Sequence, residues 1–410
     1  MKLPFKFIVL AILALAILTG CGTSSGGNGV PKTPPPPPTG TNYTTCNDNA
    51  GGTQLVPNWE SDLFQSNYKN AIQALVAHLN SQSYASKIGY IRVGLGKGGE
   101  INLPPGWKTN NNQPCYGGYT AQWGYAAGSP GDNWNTYLAG MVQWENNTLN
   151  SPYPVLVSIT PITDAGIEVD DFLAPVAFQN GISYGNQGLQ ASDITAFNSG
   201  QACGGDWCSL FNQYPPQIRE LQTIGRSCPA GVGACSGQQG DTGPLPPLLQ
   251  FATGQTAPAV PTPANDLEIY YQDWLVAYDP NDPDYATYGS GYRSAIAAAA
   301  SHATMQVLFP DPSNGDIATY VLPQSTVTGV VIDVDWSDIQ PSGPGNSFDW
   351  SITDASINQW ISAGAKKVNL VFQNTTYGGN NCGGSGGIGS NGQDGSGNCA
   401  MPPWMWTVLK

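Results

Sequence analysis

From residue 60 onward, apolar positions recur with two alternating periods. Phe64, Tyr68, Ile72, Leu75, Val76 and Leu79 return every three or four residues, which predicts a helix with one buried face. Short apolar runs bounded by turn residues predict buried strands at 88–95, 154–159, 181–186, 217–222, 267–271, 329–335 and 367–372, with another inside 305–322. Helical spacing between them predicts helices at 136–145, 169–178, 207–214, 245–252, 292–301 and 354–363, the last stopped by Gly364. Eight strands, most followed by a helix, predict an α/β protein with a (β/α)₈ barrel. An open doubly wound sheet is the alternative.

Ahead of this pattern lie two segments of another kind. Lys2 and Lys6 precede an apolar run, Phe7 to Leu18, too short to span a bilayer. The run ends in Leu18-Thr-Gly-Cys21, which resembles a bacterial lipobox; the resemblance implies cleavage before Cys21 and acylation of its thiol. An ordinary secretory signal is the alternative. Residues 21–41 are rich in Gly, Ser and Pro, with Pro34 to Pro38 in a row, and read as a tether. Residues 42–410 contain no second linker of that kind and read as one domain. The eight remaining cysteines suit disulfides in an exported chain. Cys203/Cys208, Cys228/Cys235 and Cys382/Cys399 are close enough to staple local loops, leaving Cys46 for Cys115. Many other pairings remain open, and a metal cluster is disfavoured because no CxxC spacing occurs.

Composition narrows the chemistry. Charged residues are 10% of the chain, 28 acidic against 14 basic, for a net charge of −14. The chain lacks a basic stripe, so nucleic acid is not expected as a partner, and contact with a membrane is expected only through the lipid anchor. The chain has two histidines, His78 and His302, which disfavours zinc sites and Ser-His-Asp catalysis and leaves carboxylates as the candidate agents. Gly94-Leu-Gly-Lys-Gly-Gly99 looks like a phosphate loop but leads into Pro104-Pro105 rather than a helix. Asp279, Asp282 and Asp284 lack EF-hand spacing and read as a Pro-rich turn. No cofactor or metal is expected.

Near the C terminus, Trp336-Ser-Asp-Ile-Gln-Pro341, Phe348-Asp-Trp350, Asp354, Ala363-Gly-Ala-Lys-Lys-Val368 and Pro402-Pro-Trp404 follow in an order that resembles clan-A-type glycoside hydrolases, in the manner of the family 42 β-galactosidase barrel. There the stretch belongs to the second and third strands. The helix and strand that should follow lie at the other end of the chain, so the resemblance implies a circular permutation with strand order 4-5-6-7-8-1-2-3. It also implies a retaining mechanism with carboxylates after strands 4 and 7: Glu100 as acid/base and Glu220 as nucleophile. Gly99 stands where that family has Asn before its acid/base. Read from the residues alone, Glu100 could be a solvated loop acid, and Glu220 could pair with Arg219 or Arg226.

Other residues suit a sugar site. Glu268 could orient Glu220 or replace it; Asp333 and Asp335 alternate with apolar residues, so that one faces the barrel mouth. Gln187 and Gln222 suit sugar hydroxyls, and Tyr270, Trp336 and Trp404 are further candidate substrate contacts. Trp107, Trp123, Trp207, Trp274 and Trp406 also fall in or beside predicted loops. The expectation is an exported, lipid-anchored retaining glycoside hydrolase acting on a β-linked glycan. A non-catalytic carbohydrate-binding lipoprotein and a surface adhesion protein are the alternatives.

Overall fold

The computed structural model describes residues 43–47, 53–57, 59, 61–96, 99–101, 133–159, 169–203, 206–230, 242–345, 347–374, 401, 402, 404, 405 and 408. Contacts divide the chain into residues 1–36 and 37–410, and every described residue lies in the second unit. The leader, Cys21 and the whole tether lie outside the described residues, as do Cys115, Cys235, Cys382, Cys399, Trp107, Trp123 and Trp406. An antiparallel pair opens the unit, β1 (Tyr43–Asn47) with β2 (Thr53–Pro57).

The remaining eight strands are parallel and close on themselves. They are β3 (Ile88–Val93), β4 (Val155–Ser158), β5 (Ser183–Leu189), β6 (Arg219–Thr223), β7 (Asp266–Tyr270), β8 (Thr304–Leu308), β9 (Gly329–Asp335) and β10 (Val368–Gln373). Each pairs with the next, and β10 pairs with β3 through Leu370↔Ile91, Val371↔Arg92 and Phe372↔Val93. The first and last barrel strands of the chain are thus neighbours, and the circular order 4-5-6-7-8-1-2-3 holds around the cylinder.

The helices follow from the same pattern. In α1 (Asp62–Ser81), Phe64, Tyr68, Ile72, Leu75 and Leu79 are buried, and the Ser61 hydroxyl caps the helix by accepting from the Phe64 amide at 3.1 Å. α2 (Asn133–Trp144) and α3 (Val169–Gln179) follow β3 and β4. After β5 come α4 (Ala191–Asn198) and α5 (Trp207–Gln213), and after β6 comes α6 (Leu245–Ala252). α7 (Tyr271–Tyr278) springs directly from β7 and leads to α8 (Tyr285–Ala299). α9 (Trp336–Ile339) and α10 (Ser351–Ser362) separate β9 from β10. Gly364 stops α10 with φ +108°, as its position predicts. The strand expected inside 305–322 is β8; residues 317–321 form a π-helical turn instead.

Strand alternation divides the core in two. Outward residues such as Ile91, Val157, Leu221, Leu267, Val307 and Leu370 are buried beneath the helices, each contributing about 1.5–3 kcal/mol by leaving water. The inward face is unusually polar for a barrel interior. Its apolar part includes Leu156, in register with Arg92, and the cluster Leu308, Val331 and Val371, against which Tyr270 and Phe309 pack. Cys203 and Cys208 are disulfide-bonded, with Cα atoms 6.0 Å apart; Cys228 is disulfide-bonded as well.

Candidate active site

Two layers of polar side chains fill the barrel. The lower one is closed to solvent. Arg92 from β3 donates to Glu268 of β7 (Nη1–Oε2 2.9 Å) and to Gln222 of β6 (Nη2–Oε1 2.9 Å), and lies 3.4 Å from Glu220 of β6. Tyr90 donates to Glu268, and Gln187 donates to Glu220 at 2.6 Å. Ser158 in turn donates to Gln187. Further round, Asp266 accepts from Thr304 and from Gln306, the latter at 3.0 Å. Glu220 fits because Gly185 lies opposite: a Cβ there would stand 1.9 Å from Glu220 Oε2.

Among the described residues, three carboxyls, Glu220, Glu268 and Asp266, share this interior with one guanidinium, Arg92. Burial pushes Glu220 well above its ordinary value, reinforced by Glu268 and opposed by Arg92. Burial also lifts Asp266 to about 7, against the pull of its Thr304 and Gln306 hydrogen bonds. A low-dielectric interior with a single cation favours protonation of such surplus carboxyls.

The upper layer is the mouth, at the C-terminal ends of the strands, where barrel chemistry sits. Asp333 lies one layer above Val331 on the inward face of β9. It is exposed to solvent, yet desolvation by the surrounding barrel lifts its pKa to about 7, with Arg92 opposing and Glu268 reinforcing the shift. Asp335, half-buried at the end of β9, is pushed well upward by burial and by Asp333 and Asp338, while Gln373 opposes through a hydrogen bond. Tyr270 ends β7, and burial raises its hydroxyl to about 12, with Asp333 and then Glu100 adding to the shift. A Cβ at Gly99 would stand 2.9 Å from Val371 Cγ1, so the turn that carries Glu100 lies against the inward face of β10.

Glu100 follows a tight turn after β3. Gly99 takes φ +75°, a backbone that Gly and Asn adopt most readily. The Gly96 amide donates to the Glu100 carbonyl at 2.6 Å, closing the turn.

Phe309, directly after β8, is a bulky residue at φ +45° preceding Pro310, a conformation that costs about 1–3 kcal/mol. Its amide is held by the Val331 carbonyl at 2.9 Å. Its ring meets Tyr270 edge-on, with centroids 6.3 Å apart at 78°.

Several residues that the sequence marks as candidates thus occupy places other than the sugar-facing ones expected of them. Glu220 and Glu268 are fully buried, and Gln187 and Gln222 nearly so; they hold one another and Arg92 beneath the mouth. Trp336 is fully buried, ringed by Phe64, Tyr68 and Trp404, and donates to Gln340 Oε1 at 2.8 Å. Trp404 packs on it edge-on and donates to the Gln340 carbonyl at 2.7 Å. Trp207 and Trp274 are fully buried as well. Trp336, Trp207 and Trp274 are core because their helices turn them inward. Tyr270, Asp335 and Glu100 do lie at the mouth. Phe309 is a mouth residue that sequence reasoning misses; its only signal there is an aromatic-Pro step at a strand end.

Among the described residues, no cluster of His, Cys, Asp and Glu has the makings of a metal site, and no helix is long and apolar enough to cross a membrane. No protein-family model, curated protein or solved structure matches the chain.

Proposed function

We propose that the barrel mouth binds a carbohydrate and hydrolyses its glycosidic bond, with Glu100 and Asp333 as the two carboxylates that meet the sugar. The observation that carries this reading is Asp333: an inward-facing carboxyl, open to water, with a pKa raised to about 7. A carboxyl near its midpoint at neutral pH can protonate a leaving glycosidic oxygen, the task of the general acid. Glu100 supplies the second carboxylate. Retention of anomeric configuration would make it the nucleophile, and inversion would make it the base that activates water. Glu220, the nucleophile implied by the glycoside hydrolase resemblance, instead serves with Arg92 and Glu268 as the floor beneath the pair, since a buried carboxyl gives an anomeric carbon no approach. The Cys203–Cys208 disulfide supports an oxidising compartment, in keeping with an exported chain lipidated at Cys21. Incorporation of a labelled fatty acid, abolished by Cys21→Ala, would test the anchor.

The enzymatic test is turnover of aryl β-glycosides and β-linked oligosaccharides by the wild type, Asp333→Asn and Glu100→Gln. Each substitution should lower kcat by roughly 10²–10⁴-fold. Unchanged rates would end the proposal. The burial of Glu220 favours a second reading, a glycan-binding barrel without turnover. Binding that survives both substitutions, with no product from the wild type, would select it.

A further inference from the structure

We propose that Phe309 is the specificity-determining residue of this mouth: its ring and that of Tyr270 form a two-walled aromatic corner that takes the apolar C–H face of a pyranose and presents it to Asp333. The inference rests on the reading of the mouth as a sugar site and adds which residues choose the ring. Three observations carry it. The backbone at Phe309 is left-handed, φ +45°, and Gly would hold it with less strain, so the strained position delivers a ring. That ring covers the Leu308, Val331 and Val371 layer but stays part-exposed, as does Tyr270, whereas a ring serving only as a cap would be buried. The Phe309 amide is bonded to the carbonyl of Val331, two residues before Asp333, so the aromatic wall and the exposed carboxyl stand on neighbouring strands at the same end of the barrel. Aromatic faces bind the apolar faces of uncharged rings, and the strained backbone fixes this one in place before the ligand arrives.

Phe309→Gly and Phe309→Asn separate this role from a structural one, because both residues accept the left-handed backbone. With a glycoside turned over by the wild type, both variants should raise KM by roughly 10- to 100-fold, the loss of one stacking partner. Melting temperature should hold or rise in Phe309→Gly. Phe309→Tyr, which keeps the ring, should stay within about threefold of the wild-type KM. An unchanged KM in Phe309→Gly and Phe309→Asn would overturn the proposal, as would a lowered melting temperature with unchanged kcat and KM. A wild type that neither binds nor cleaves any glycan would overturn the reading of the site and this inference with it.

Discussion

Arg92→Met removes the cation that, among the described residues, pairs with the buried carboxyls of the barrel floor. The guanidinium is 2% exposed and lies 2.9 Å from Glu268 and 3.4 Å from Glu220, both fully buried. Met fills much of the same volume, so little cavity results; the loss is electrostatic. Removing one partner of a buried ion pair costs about 3–5 kcal/mol, because the remaining charge stays buried without compensation. For a folded unit of roughly 370 residues (37–410), unfolding entropy of about 2 cal/mol/K per residue converts this to a fall of about 4–6 °C in melting temperature. The assay is calorimetry at pH 8, repeated at pH 5. The gap from wild type should narrow at pH 5, where Glu220, already held well above its ordinary value by burial, takes up a proton at less cost. Adding Glu268→Gln to Arg92→Met should recover part of the loss, because the charge that Arg92 balanced is then gone. A variant within about 1 °C of wild type at both pH values would refute the account of the interior as a charge-compensated network, since the expected cost is several-fold larger.

Further outcomes follow from the same geometry. Gly185→Ala places a Cβ about 1.9 Å from Glu220 Oε2, in a site with no room to yield; denaturant unfolding should show a loss of about 1–3 kcal/mol. Asp266 and Asp273 are buried with pKa values of about 7, in both cases raised mainly by desolvation, against about 4 when unfolded. Their folded values exceed their unfolded ones, so this contribution to stability is complete below about pH 4 and is lost as pH rises through about 7. Melting temperature should therefore be higher at pH 5 than at pH 8, and Asp266→Asn should flatten the slope. Replacing Cys203 and Cys208 by Ser opens a short loop and should cost about 2 kcal/mol, read by melting the double variant beside reduced wild type.

The eight barrel strands were legible because parallel strands buried on both faces leave apolar runs that turn residues interrupt. Val155–Ser158 and Val368–Gln373 are buried at every position. α7 was not, since Tyr271-Gln-Asp-Trp continues the strand composition of β7 without a break. The strand order around the barrel was legible from the order of motifs, and the pairing of β3 with β10 completes it. Depth within the barrel was not. Alternation tells that Glu220, Glu268, Asp266 and Asp333 face inward, and it says the same of all four. Whether an inward residue lies under or over the floor depends on strand stagger and on where each strand begins, which composition does not encode. Asp333 and Gln187 both sit fifth on their strands, yet Asp333 is exposed whereas Gln187 is buried beside Glu220. The tryptophans misled for a related reason: closeness to a strand end marks Trp336 as a rim residue, but α9 turns it into the core.

The most direct measurement is the release of reducing ends from a panel of β-linked oligosaccharides by the wild type, Asp333→Asn and Glu220→Gln. The wild type should cleave at least one glycan, Asp333→Asn should lower this activity by roughly 10²-fold or more, and Glu220→Gln should keep more of it than Asp333→Asn does. Loss of all activity in Glu220→Gln with a folded protein, alongside full activity in Asp333→Asn, would contradict it.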